Sequence, residues 1–189
     1  MGEEVPVVIA SKHPWTEGGL RITKAALRAV EEDALAGYAK GEEACGYLRG
    51  PAADALLCDE HARMENVAAR LHALDPERYF RTARTYFEFN GVKFQRAVDA
   101  GSAEGRPVKV LYHSHLDAGA YFSPTDAAAM SMGKVPEVEG GPIEMGDGPQ
   151  WPLAFLVTSV RGGAVDTFGL FIWDAASRAF VPSSFTVVD

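Results

Sequence analysis

Cysteine is scarce in this chain. Two occur in 189 residues, Cys45 and Cys58, too few for a disulfide framework or for a structural zinc cluster built on several thiolates. Long apolar runs are also missing, since none approaches the roughly 20 residues that span a bilayer. The opening "MGEEVPVVIASKHPW" carries acids where a signal peptide would carry a basic segment. Positive charge is in deficit: 18 Lys and Arg stand against 26 Asp and Glu, a formal charge of −8. With no basic stripe, nucleic acid is not an expected partner. These absences together lead to the expectation of a soluble, reduced, cytoplasmic protein.

Core-forming residues are plentiful, with 47% apolar and 10% aromatic, enough to bury a substantial interior. No internal repeat or Pro/Ser-rich linker divides the chain, so residues 1–189 read as one domain. Periodicity predicts a strand in "VPVVIA" and a helix within "LRITKAALRAVEEDALAGYAK" ending near Gly41. "ACGYLRG" and "ALLCDEHARMENVA" read as a hairpin or near-hairpin. Beyond Asp75-Pro76 two readings stand: a helix started by that pair, or a strand at "RYFR" followed by a helix to about Ala100. "VKVLYHSH" reads as a buried strand and "SPTDAAAMSMG" as a helix. Residues 134–152 form a Gly/Pro-rich loop with Glu137, Glu139, Glu144 and Asp147. Three strands, "LAFLVTSV", "VDTFGLFIW" and "FVPSSFTVV", close the chain, with a turn at Arg161-Gly162-Gly163. The order of elements gives an α/β or α+β fold with a mixed sheet.

One stretch carries chemistry: "YHSHLDAGAYFSPTD", Tyr112 to Asp126. Residues i and i+2 share a face of a strand, so His113 and His115 present two imidazoles to one point while Ser114 faces away. Asp126 in the first turn of the next helix supplies a third ligand. Two histidines and a carboxylate leave the fourth position of a tetrahedral zinc open, as in catalytic sites. Ser123-Pro124-Thr125-Asp126 is equally a good helix start, with Ser at the cap, Pro at N1 and an acid at N3.

His-x-His, seven residues, Ser, two residues, Asp resembles the signature of the JAMM (MPN+) zinc isopeptidases. The upstream "EACGYLRG", Glu43 to Gly50, resembles that family's E-x-C-G-x-L-x-G segment, and "ENVA", Glu65 to Ala68, resembles its Asn-containing strand end. The likeness runs over roughly residues 20 to 175. It implies a mixed, mostly antiparallel curved sheet flanked by helices, a cytidine-deaminase-like MPN/JAMM domain. It implies one Zn²⁺ per chain on His113, His115 and Asp126. Glu43, rather than the adjacent Glu42, becomes general base, and Ser123 donates a hydrogen bond to the developing oxyanion. The implied substrate is an amide bond after the Gly-Gly tail of a ubiquitin-like or sulfur-carrier protein. A non-catalytic MPN scaffold and a zinc hydrolase acting on a small amide or peptide stand as alternatives.

The remaining candidates have plainer readings. Cys45 reads as a small buried thiol, and His13, His61 and His72 as surface or capping residues. Asp117 reads as a turn former or as a partner to a metal ligand, and the acidic loop as a lid or as a solvated segment.

Overall fold

The computed structural model describes the backbone of residues 7–9 and the whole of residues 19–189; His13 lies outside the described residues. The elements run β1 (Val7–Ile9), β2 (Leu20–Thr23), α1 (Lys24–Lys40), β3 (Cys45–Arg49), β4 (Leu57–Cys58), β5 (Glu60–Met64), α2 (Ala68–Leu74) and α3 (Gly91–Ala103). There follow β6 (Val108–Leu116), α4 (Pro124–Met130), β7 (Ala154–Arg161), β8 (Ala164–Asp174), β9 (Ala179–Ser183) and β10 (Phe185–Val188).

The large sheet is open, with order β5-β3-β6-β7-β8-β9. Every pairing in it is antiparallel except β6 with β7. That parallel pair needs a crossover, and α4 with the acidic loop provides it. β6 is the central element: all nine of its residues are buried, as expected for a strand covered on both faces. On one face Tyr112 and Val110 pack with α1 and with Leu156 and Leu170. On the other, Leu111 packs with Phe94, Leu153 and Phe155. His113 and His115 point to this second face, by the alternation of the strand.

The structure departs from the sequence reading in four places. Leu20–Thr23 is not helical; it joins a second, four-stranded sheet of order β1-β10-β2-β4, with Leu20 and Ile22 buried and Arg21 and Thr23 half-buried. Thr23 then caps α1 by accepting from the Ala26 N–H at 3.2 Å, and Gly41 closes that helix with φ 73°. Asp75-Pro76 ends a helix instead of starting one: Asp75 is the C-cap of α2, and proline commonly follows a helix end. Neither the helix from Asp75 nor the "RYFR" strand forms, and residues 75–90 hold no helix or strand. Finally, "FVPSSFTVV" divides at Ser184, where the chain leaves β8 and crosses to β2 in the second sheet.

Candidate metal centre

Three ligand-type atoms meet at the carboxyl end of β6. His113 Nε2 lies 3.2 Å from His115 Nε2, and Asp126 Oδ2 lies 3.3 Å from the first and 3.5 Å from the second. A tetrahedron with metal–ligand bonds of about 2.0–2.1 Å has edges of about 3.3–3.4 Å, so the triangle has the size of one face of a zinc-like site. All three residues are buried, at 2%, 5% and 4% exposure, and the cluster is able to hold a metal ion.

Their surroundings prepare them as ligands. His115 Nδ1 lies 2.8 Å from the Gly119 carbonyl. A carbonyl only accepts, so Nδ1 carries the proton and Nε2 keeps its lone pair for the cluster. Phe87 stacks on the His113 ring at 4.3 Å and 16°, and Tyr121 meets the His115 ring edge-on at 5.0 Å. Burial pushes the Asp126 carboxyl upward, but His113, by its charge and its hydrogen bond, together with the bond from Ser123 outweighs it and holds the group well below the usual carboxylate range. An ionised oxygen beside imidazole nitrogens is a donor set suited to a divalent transition metal or zinc.

The helix start and the ligand set turn out to be compatible. Ser123 Oγ accepts from the Asp126 N–H at 3.1 Å while Asp126 Oδ2 accepts from the Ser123 N–H at 3.1 Å, a complete capping box with Pro124 at the first turn. Asp126 therefore does not give up capping to face the histidines; Oδ2 serves both. The Ser123 hydroxyl accepts in this box and retains its own proton for another acceptor.

Glu43 stands two residues before β3, the strand that pairs with β6, and is 5% exposed. Burial, and after it the charge of Asp126, pushes its carboxyl well above the ordinary range. Its backbone is pinned on all sides. The Glu43 N–H donates to Ala83 O at 2.6 Å, and Ala44 exchanges two bonds with Ser114, one of them to the serine Oγ at 2.8 Å. Asn66 completes the clamp. Its Nδ2 donates to Glu43 O at 2.9 Å and to Tyr86 O at 3.0 Å, while its Oδ1 accepts from the N–H groups of Ala68 and Glu88 at 3.0 and 3.1 Å. One amide thus ties the segment holding Glu43 to the segment that stacks Phe87 on His113. Sequence reading missed the roles of Asn66 and Ser114; "ENVA" was the signal for the first.

The remaining candidates fall elsewhere. Glu42 is half-buried and faces a groove with Lys40 and Arg63. Asp117 is a turn residue at φ 55°, accepting from Tyr38, Arg84 and Gly162. Cys45 and Cys58 are buried free thiols whose pKa burial pushes up to about 12. His72 bonds the Tyr79 carbonyl through Nδ1 at 2.7 Å. His61 is not a plain surface residue: it stacks on Tyr112 and contacts Tyr112 Oη at 2.7 Å, and that hydroxyl donates to Asp33 at 2.6 Å on the face of the sheet away from the cluster. In the acidic loop the backbones of Lys134 and Glu144 exchange two hydrogen bonds, Arg178 pairs with Asp147, and Pro136 O accepts from Arg81. Among the described residues no helix is long and apolar enough to cross a membrane.

These features define an α/β protein with a buried two-histidine, one-carboxylate cluster at the end of a central strand. The chain belongs to the prokaryotic homologs of the JAB domain, whose family model matches residues 23–165. Among solved structures, a protein from Desulfitobacterium hafniense is similar at 15% identity and TM-score 0.54, over 90% of this chain and 93% of that one. A Salinibacter ruber protein is similar at 21% identity and TM-score 0.50, over 90% and 92%. A JAB1/MPN domain protein from Archaeoglobus fulgidus aligns at 12% identity and TM-score 0.47, over 89% and 97%. No curated protein matches the chain in sequence.

Proposed function

We propose that this protein is a zinc-dependent isopeptidase or peptidase that hydrolyses an amide bond after the C-terminal Gly-Gly tail of a ubiquitin-like or sulfur-carrier protein. The observation that carries the reading is the convergence of His113, His115 and Asp126 at 3.2–3.5 Å, with the buried Glu43 carboxyl, in the segment leading into β3, under the electrostatic influence of Asp126. A zinc ion held by His113, His115 and Asp126 would bring the pKa of a bound water towards neutrality and polarise the scissile carbonyl.

The chain's own residues do the remainder. Glu43 takes a proton from the attacking water and returns it to the leaving amine, a role worth about 10²–10⁴-fold in rate. Its pinned backbone holds that carboxyl in place before substrate arrives. Ser123 offers its hydroxyl proton to the carbonyl oxygen as negative charge develops there, worth roughly 3–4 kcal/mol when such a donor is well placed. Phe87 and Phe122 flank His113 with apolar surface and keep bulk water from that side. A non-catalytic scaffold would have no need for this full set, which is why the enzymatic reading is preferred.

The test is metal analysis of protein never exposed to chelator, with cleavage of a panel of Gly-Gly-tailed carrier fusions by wild type and Glu43→Gln. The expected result is about one zinc per chain in both proteins, with cleavage only by the wild type and only before chelation. Metal-free protein would refute the zinc assignment, and full cleavage by Glu43→Gln would refute the assigned base.

A further inference from the structure

A second pocket lies between the edge of the large sheet and two helices, and it contains none of the residues discussed as ligands, base or oxyanion donor. It encloses about 270 Å³. Its floor is apolar: Tyr47 from β3, Met64 from β5, Val67 and Phe94. Phe94 is 1% exposed and holds the Tyr47 ring at 5.7 Å, so the floor is packed into the core.

Its rim has the opposite character to the rest of the molecule. Arg63, Arg70 and Lys93 stand around the opening, and Lys40 joins Arg63 and Arg70 in the groove alongside. Arg63 is held by Asp33 at 3.0 Å and Glu42 shares the groove with Lys40, so Arg70 and Lys93 are the cations this rim offers to a ligand, in a chain whose formal charge is −8. Glu65 is the one carboxylate on the rim, and it sits 3.9 Å from Arg70. Lys93 has no ion-pair partner among the described residues. The 13-residue α3 begins at this rim with Asn90 as its cap and no acid in its first turn, so the protein leaves the positive end of that helix uncompensated.

An apolar floor beneath a cationic rim selects a ligand that has both parts. We propose that this pocket binds a carboxylate carried on an apolar or aromatic body, either a free small acid or the C-terminal residue of a peptide. The ring or alkyl group seats against Tyr47, Met64 and Phe94, and the carboxylate faces Arg70, Lys93 and the start of α3. A neutral or cationic analogue of the same shape keeps the first contact and loses the second.

The probes are phenylacetate, phenylacetamide and phenethylamine, titrated into the metal-bearing full chain and followed by backbone amide shifts. A short peptide ending in Phe, with its terminus free or amidated, separates the peptide source from the free acid. The expected result is saturable shifts in residues 64–67 and 90–97 with phenylacetate or the free-terminus peptide. Binding of the uncharged or cationic counterparts should be about tenfold weaker or worse. Salt should weaken the interaction. The exposed pair Arg70→Glu and Lys93→Glu, made together, should remove it while leaving the amide spectrum folded and the metal content unchanged. Equal binding of all three probes, shifts confined to residues 113–126, or unaltered binding in the double variant would each overturn the proposal, as would no shift with either acid.

Discussion

Replacing Asn66 tests whether a single amide organises the site. Its side chain makes four hydrogen bonds to backbone groups of Glu43, Tyr86, Ala68 and Glu88. Each is worth about 0.5–1.5 kcal/mol net, and the residue is half-buried, so water replaces part of what is lost. Asn66→Ala should therefore cost about 2–4 kcal/mol in urea denaturation, read from the midpoint at constant slope. Asn66→Asp is the sharper variant. It keeps an acceptor for the Ala68 and Glu88 N–H groups but loses both donors, and it sets a carboxylate oxygen against the Glu43 and Tyr86 carbonyls. It should be no more stable than the alanine variant. Neither change touches a ligand, so both proteins should retain metal, while the pinning of Glu43 loosens and turnover falls. A loss below about 1 kcal/mol for Asn66→Ala, or near wild-type stability for Asn66→Asp, would refute the clamp.

Three further outcomes follow from particular contacts. Asp126→Asn keeps an acceptor for the Ser123 N–H, whereas Asp126→Ala loses it; both should lose metal on chelator competition, but only the alanine variant should lose a further ~1 kcal/mol of stability in the metal-free form. Gly46→Ala places a Cβ 2.3 Å from Ala62 O and 2.4 Å from Tyr112 Oη, so β3 must shift away from its neighbours. Thermal denaturation should show a loss of about 1–3 kcal/mol or more, and an unchanged midpoint would contradict the packing described. Cys45 and Cys58, with thiols pushed up to about 12, are protonated as well as buried at pH 8. Iodoacetamide should leave both unmodified in the native protein and alkylate both in denaturant, as read by mass spectrometry.

The sequence alone determined the parts of this protein whose cause is local. Alternation along "VKVLYHSH" placed His113 and His115 on one face of a buried strand, and the Ser-Pro-Thr-Asp order specified the capping box of α4. Those patterns are legible because a strand's period and a cap's bonds span only a few residues. "EACGYLRG" likewise marked β3 and the glutamate before it. Tertiary structure decided the rest. In "LRIT" Leu20 and Ile22 alternate as in a strand, but four residues are too few to separate from the helical run that follows, and pairing with β10 and β4 fixes the strand. The break at Ser184 depends on two sheets that no neighbouring residue reveals. Asp126 bridges the helix cap and two histidines because β6 and α4 meet at one distance, and Asn66 reaches Glu43 across 23 positions and Glu88 across 22. Contacts at such separations are set by how packed layers bring distant backbone together, and the residues adjacent in the chain carry no imprint of them.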